Sequence, residues 1–359
     1  MSRLALVSTS VARLPWRLVI FFSLVILLCS GGNLRSDSPV PLPQKPARPE
    51  AEKGPTKISY ALYIGDITRI DSADQTFQIN FVLLLRWHDP RLVSSSPDSR
   101  EFALGDVWNP PVLFANQTKD IVHSLPEIVT VSPDGTVVYR QRFIGQFSQS
   151  LDLRAFPFDQ GVFQIHVIAP GCREGEISFV PDASSVWLGL KNGVGINENL
   201  TLQDWRVGTV MSHPEPYIIT PGLQIAGCKF EFTAARNSTY FIIKVILPLL
   251  LIVMMSWAVF WIDPSDSGAQ FSIAVTAMLT LIAYRFAIDA NVPKLPYLTC
   301  LDKFVLFSSL LVFLTLIQAI ITSKLTKRGD LELARVIDRH CRWVFPLAFL
   351  LVVVTSLLF

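Results

Sequence analysis

Ser272, Thr276, Leu279, Ala283 and Phe286 recur at intervals of four, three, four and three residues, which puts them on one face of an α-helix. The first two carry hydroxyls and the other three are apolar, in a segment from Phe271 to Ile288 whose one charge is Arg285. A helix apolar enough for a bilayer but polar along half of one stripe turns that stripe to protein or water. A single helix cannot enclose water, so the pattern implies several copies around an axis. Leu279, Ala283 and Phe286 would then form an apolar constriction that gates by dewetting. The plainer alternative is that the hydroxyls bond back to carbonyls one turn earlier, or pack helix to helix. Asp266 just before the helix and Asp289 near its outer end place carboxylates at both mouths. Repeated around an axis they make negative rings, which favour cations.

Reaction chemistry has no comparable footing. There is no GxSxG, HExxH or phosphate-binding loop, and the five histidines are scattered. The five cysteines show no zinc spacing; Cys172 and Cys228 could pair or stand as two structural thiols. No cofactor, metal or enzymatic activity is expected. A net charge of +2 without a basic, aromatic-rich stretch gives no reason to expect nucleic acid.

The elements that must hold the stripe can be read from composition. The chain has 359 residues, half of them hydrophobic and 17% charged, well under the roughly 25% of an average globular protein. Residues 1–32 read as a signal peptide: Arg3, Arg13 and Arg17 precede a short apolar core ending near small residues, with a lipidated Cys29 or a retained anchor as the alternatives. Residues 33–56, rich in proline, serine and charge, read as a disordered linker. From 57 to 237 the pattern is β, in segments such as Thr76–Trp87 and Thr136–Phe143 separated by turn residues. About ten strands in one antiparallel sandwich are expected. The remainder, 238–359, holds four apolar stretches at about 240–261, 271–288, 304–321 and 343–359. The intervening loop at 322–342 carries Lys324, Lys327, Arg328, Arg335, Arg339 and Arg342, which assigns it to the cytoplasm. The sandwich and the C-terminus then share the outer side of a plasma (inner) membrane.

Residues Ser150–Gln160, SLDLRAFPFDQ, resemble the signature loop of pentameric ligand-gated ion channels, centred on Phe156, Pro157, Phe158 and Asp159. Gln149 and Phe163 stand where animal receptors have the two half-cystines, so the resemblance is to prokaryotic members lacking that disulfide. Trp87–Leu92 resembles the family's WxDxRL, and Trp108 to Asn116 its WxPxxxFxN. Ser132–Gly135 resembles the SPDG turn of bacterial homologues, and Asn291–Tyr297 the proline-rich linker after the second span. Arg236 stands before the first span, where the family keeps an arginine, and Pro248 lies inside that span.

The resemblance implies a homopentamer: each chain with four identical partners in a bilayer, an all-β exported domain on a four-helix bundle, and the second span around the pore. It also implies that Asp159 and Arg236 meet between sandwich and membrane domain, with Asp71 as a third member. Pro293 and Pro296 would stiffen the linker that carries the motion. Val82, Ala115 and Pro170 fall near the positions of the amine-binding aromatic cage, and none is aromatic. Of the ligand-binding candidates, Tyr217 remains in the loop His213–Pro221, and Arg142 could meet an anionic ligand. An unidentified small molecule or protons are the expected agonists, with Asp66, Asp71, Glu127 and Asp134 as available carboxylates. Monovalent cations are the expected permeant ions. The rival expectation is a membrane-anchored sensor that does not conduct.

Overall fold

The computed structural model describes residues 46–173, 175–184, 190–289 and 295–357. The expected signal at 1–32, the linker to residue 45, Pro293 and the last two residues of the fourth stretch lie outside them. Residues 46–56 depart from the expected disorder. Ala51–Lys53 form a 3-10 turn. Arg48 Nη1 donates to Gly54 O (2.8 Å), Thr56 Oγ1 (3.1 Å) and Glu176 O (2.7 Å). Composition missed this because one guanidinium ties the segment to a carbonyl 128 residues later in the chain.

Thirteen strands are present among the described residues where about ten were expected. They are β1 (Thr56–Asp71), β2 (Thr76–His88), β3 (Arg100–Ala103), β4 (Leu113–Phe114), β5 (Val122–His123), β6 (Ile128–Val131) and β7 (Thr136–Ser148). There follow β8 (Gln160–Arg173), β9 (Ile177–Pro181), β10 (Val194–Ile196), β11 (Trp205–Pro214), β12 (Tyr217–Thr220) and β13 (Leu223–Arg236). One sheet runs β10-β1-β2-β7-β6-β3, with β9 on β1 and β5 on β7; the other runs β11-β13-β8-β4, with β12 on β13. Period-two patterning decides which side chains enter the space between them. Along β2, Phe77, Ile79, Phe81, Leu83, Leu85 and Trp87 are each at most 2% exposed. They meet Phe163 and Phe232 of the second sheet, which stack at 5.1 Å, with Phe77 edge-on to both. Each fully buried phenylalanine stabilises by roughly 1.5–3 kcal/mol over an exposed one.

Three helices are long and apolar enough to cross a membrane: α1 (Thr239–Trp261), α2 (Ser267–Asp289) and α3 (Cys300–Arg328). A fourth, α4 (Leu331–Leu357), packs on α3. The expected loop at 322–342 is mostly helix, because α3 runs on to Arg328 and α4 starts at Leu331. Hydropathy marks where a helix stops being greasy, not where its hydrogen bonds stop. Gly329, at φ 91°, ends α3 in the left-handed conformation that glycine adopts without penalty. At its other end Thr299 and Asp302 form a capping box: Asp302 N donates to Thr299 Oγ1 and Thr299 N to Asp302 Oδ2. Pro248 follows a π turn at Ile242–Ile246 in α1, and having no N–H it leaves a carbonyl unserved. Tyr284 Oη from α2 lies 2.9 Å from both Lys244 O and Val245 O and supplies that donor.

Candidate pore and gating site

The face of α2 that the chain leaves uncovered is the one its spacing picks out. Gln270, Ala274, Ala277, Leu281 and Ile288 are buried against the rest of the chain. Ser272, Thr276, Leu279, Ala283 and Phe286 are all exposed, Leu279 at 61% and Phe286 at 75%. Thr276 Oγ1 donates to Ser272 O at 2.8 Å and Thr280 Oγ1 to Thr276 O at 2.7 Å, so the back-bonding of the plainer alternative is present. Those bonds use the hydroxyl hydrogens and leave the oxygen lone pairs outward, the polarity that suits a cation. Asp266 caps the helix through Ala269 N at 3.1 Å. Asp289 is exposed. At about 100° per residue it lies roughly a quarter-turn off the stripe. It borders a cavity of about 110 Å³ with Arg285 and Asp302.

Where the sandwich meets the helices, Arg236 and Asp159 form a buried two-point ion pair. Nε donates to Oδ1 at 2.8 Å and Nη2 to Oδ2 at 3.0 Å, with the side chains 8% and 2% exposed. The guanidinium lies over Trp205 at 4.2 Å and over Phe156 at 4.9 Å. The third polar member is Ser72, whose Oγ accepts from Arg236 Nη2 at 2.6 Å, and not Asp71. Asp71 instead turns back on its own turn, accepting from Ala73 N, Asp74 N and Arg69. The hydrogen bond from Asp74 leads in holding its carboxyl below the usual range.

The signature loop sits on the start of α3. The first N–H groups of a helix have no partner within it. Here Cys300 N donates to Arg154 O at 2.9 Å and Leu301 N to Phe156 O at 3.2 Å. Leu153 N donates to Tyr297 Oη at 3.1 Å, Ser238 Oγ to Pro157 O at 2.8 Å, and Phe156 packs edge-on against Phe241 at 4.8 Å. Phe158 is 43% exposed, and Pro296 is exposed in the linker. Gln149, at one missing half-cystine, accepts from Gln164 N at 3.1 Å, so a hydrogen bond closes the loop. Cys228 is not in a disulfide: it faces Val167 across β8, and its thiol is pushed well up by burial.

The ligand-binding candidates stay apart within one chain. Arg142 is on β7, exposed, donating to Asn80 Oδ1 at 2.9 Å. Tyr217 is on β12 of the other sheet, its ring edge-on to His166 at 5.1 Å. His166 Nε2 lies 3.1 Å from Glu215 O, and burial lowers its pKa. Of the carboxylates considered for proton sensing, Asp134 is held below the usual range by hydrogen bonds from Thr136, and Asp66 is engaged by Thr201.

The family model for the neurotransmitter-gated ion-channel ligand binding domain matches residues 44–237, and that for the transmembrane region matches 245–332. The chain belongs to the neurotransmitter-gated ion-channel family. Members are pentameric channels of the Cys-loop type and not enzymes. This channel subunit is 27% identical over 316 residues to the proton-gated ion channel of Gloeobacter violaceus, covering 85% of this chain and 83% of that one. It is 26% identical over 280 residues to gamma-aminobutyric acid receptor subunit beta-4 of Gallus gallus, covering 76% of this chain and 56% of the receptor subunit.

Several motifs that carried the resemblance hold the subunit together rather than touch a ligand. Asp89 accepts from Arg91 Nε (2.8 Å), Nη2 (2.7 Å) and N (3.1 Å), and Trp87 packs edge-on to Trp108. Asn116 Nδ2 donates to Ser148 O and Gln164 O. Gly135, at φ 81°, has Asp89 O 2.7 Å from where a Cβ would stand, so the turn admits no side chain there. Ser72, Trp205, Tyr284 and Tyr297 were missed from sequence. Ser72 adjoins Asp71 and Tyr297 closes the linker motif already singled out, though neither was given a role; nothing local marked the other two.

Proposed function

We propose that five identical copies form a cation-selective channel, with α2 around the pore and the sandwich as the agonist-receiving domain. The exposed stripe of α2 carries this reading, because Leu279 and Phe286 are large apolar side chains left uncovered on the least hydrophobic of the three membrane-length helices. Five-fold symmetry would cover the flanks of each α2 and leave the stripe on the axis. The basic residues around the α3–α4 turn favour the orientation with the sandwich outside, and residues 343–357 of α4 would complete a fourth crossing. The outward hydroxyl oxygens of Ser272 and Thr276, with Asp266 at the inner end, support cations over anions. Asp289 would act at the outer mouth through the mean field of five copies, partly offset by Arg285.

Agonist binding would reach the pore through the junction. A displacement of β8 or β13 pulls on the Asp159–Arg236 pair, and the signature loop passes it to Tyr297 and the first turn of α3. Pro293 and Pro296 then limit how much the linker absorbs. Protons are the first agonist to test, since the Gloeobacter relative is proton-gated by name. Arg142 and Tyr217, on different sheets of one chain, would bind one ligand only from adjacent subunits.

The test is macroscopic current from purified protein in liposomes as external pH steps from about 7.5 to about 4, where His and raised carboxylates titrate. An inward current whose reversal follows the cation gradient supports the reading. Assembled pentamers that stay silent to protons and to small ligands, in both wild type and Leu279→Ala, favour the non-conducting sensor.

A further inference from the structure

At the inner end of the helical bundle, away from the junction and the stripe, a carboxyl group lies buried between three helices. Asp338 of α4 is 1% exposed. Gln270 Nε2, from the first turns of α2, donates to its Oδ2 at 2.9 Å, and Gln318 Nε2, from α3, makes a short hydrogen bond to Oδ1. Gln270 also donates to Ile262 O at 2.8 Å, and Thr322 Oγ1 lies 3.4 Å from Gln270 Oε1. Among the described residues Asp338 makes no ion pair.

The surrounding charges are engaged elsewhere. Arg342, on the same helix, donates to Phe260 O and covers the Trp261 ring. Arg335 pairs with Asp263, in the turn between α1 and α2, and with Glu332. Cys341 is the other titratable neighbour on α4. On α2 and α3 the groups facing Asp338 are the two glutamines and Thr322. An ionised carboxylate would therefore sit in a buried site with two neutral amide donors and no ion-pair partner among the described residues, Arg342 acting on it only at longer range, a costly arrangement.

A second observation is independent of that charge. Gln318 Oε1 is buried and has no hydrogen-bond partner. A buried amide oxygen without a donor is itself destabilising. A proton on Asp338 Oδ2 removes the buried charge and gives the site an O–H donor, which a side-by-side pairing of acid and amide would turn to Gln318 Oε1 while Oδ1 accepts from Gln318 Nε2.

We propose that Asp338 is a buried proton-binding site that, when occupied, clasps the base of α2 to α3 and α4, so that the pH of the inner compartment acts on the pore. The regulatory half rests on α2 being the pore helix; the proton-binding half does not. Infrared spectroscopy of the full-length protein in lipid, comparing wild type with Asp338→Asn, tests the proton directly. The expected result is a protonated-carboxyl band at neutral pH that is lost in Asp338→Asn. A spectrum with no such band to lose overturns the proposal. Currents in inside-out patches, held at a constant activating external condition, test the consequence. Alkalinising the inner bath should shift open probability in wild type, and Asp338→Asn, which keeps the size and the Gln318 hydrogen bond of the neutral acid, should lose that shift. A band lost on substitution with inner pH without effect in wild type overturns the regulatory half alone. Current that does not pass through α2 at all defeats the pore reading and leaves the infrared result standing.

Discussion

Removing the carboxylate of Asp159 while keeping its size isolates the junction pair. In Asp159→Asn the Arg236 guanidinium, 8% exposed, keeps Ser72 Oγ and the faces of Trp205 and Phe156 but loses the anionic partner and one of its two hydrogen bonds, at 2.8 and 3.0 Å, to that side chain. Breaking one side of a buried pair destabilises by about 3–5 kcal/mol, because the remaining charge is stranded. For a domain of this size that corresponds to a fall in melting temperature of roughly 6–20 °C. Arg236→Gln strands the anion instead, and the double variant strands neither. Thermal unfolding of the four proteins in detergent should therefore give singles that are each strongly destabilised and a double that is no worse than either, with a coupling of at least about 3 kcal/mol. Where the pair loosens on opening, part of that energy appears as a change in agonist sensitivity, tenfold for each 1.4 kcal/mol or so. Singles within about 0.5 kcal/mol of wild type, or a double equal to the sum of the singles, would refute the reasoning, because both outcomes mean the pair is not coupled.

Three further expectations can be measured separately. Leu279→Ala shortens a 61%-exposed apolar side chain on the stripe, so it should open at lower agonist concentration or leak without agonist, read as holding current. Asp289→Lys should shift the reversal potential away from the cation equilibrium value; unchanged reversal would remove Asp289 from the selectivity mechanism. His166 is held neutral by burial, so its folded pKa lies below the unfolded value. Its stabilising contribution is full above about pH 6.5 and is lost as pH falls through the folded pKa. The melting temperature should drop over that window, and His166→Gln should flatten the drop.

The long strands were legible because β2 and β7 alternate inward and outward for 13 residues each, which is unmistakable at period two. The two- and three-residue strands β4, β5 and β10 carry too few residues to show any period; they exist because a longer neighbour offers them hydrogen bonds. The stripe of α2 was legible from spacing alone. The Asp159–Arg236 contact was not, since 77 residues separate the pair and only the family resemblance brought them together. Asp71 was expected as the third member of that pair, yet its carboxylate is absorbed by the amides of its own turn. Asp338 was not singled out in the sequence, because its partners lie 68 and 20 residues away and a glutamine leaves no signature in hydropathy.

The most direct measurement is thiol accessibility along α2 in a background with the native cysteines replaced. Single cysteines go in at Ser272, Thr276, Leu279, Ala283 and Phe286, and at the buried positions Ala274, Ala277 and Leu281. A water-soluble, charged thiol reagent is applied while current is recorded. If α2 lines the pore with its exposed stripe, modification changes the current at the five stripe positions and leaves it unchanged at the buried three. Modification at Ala274, Ala277 and Leu281 with the stripe untouched, or equal effects on every face, would contradict it.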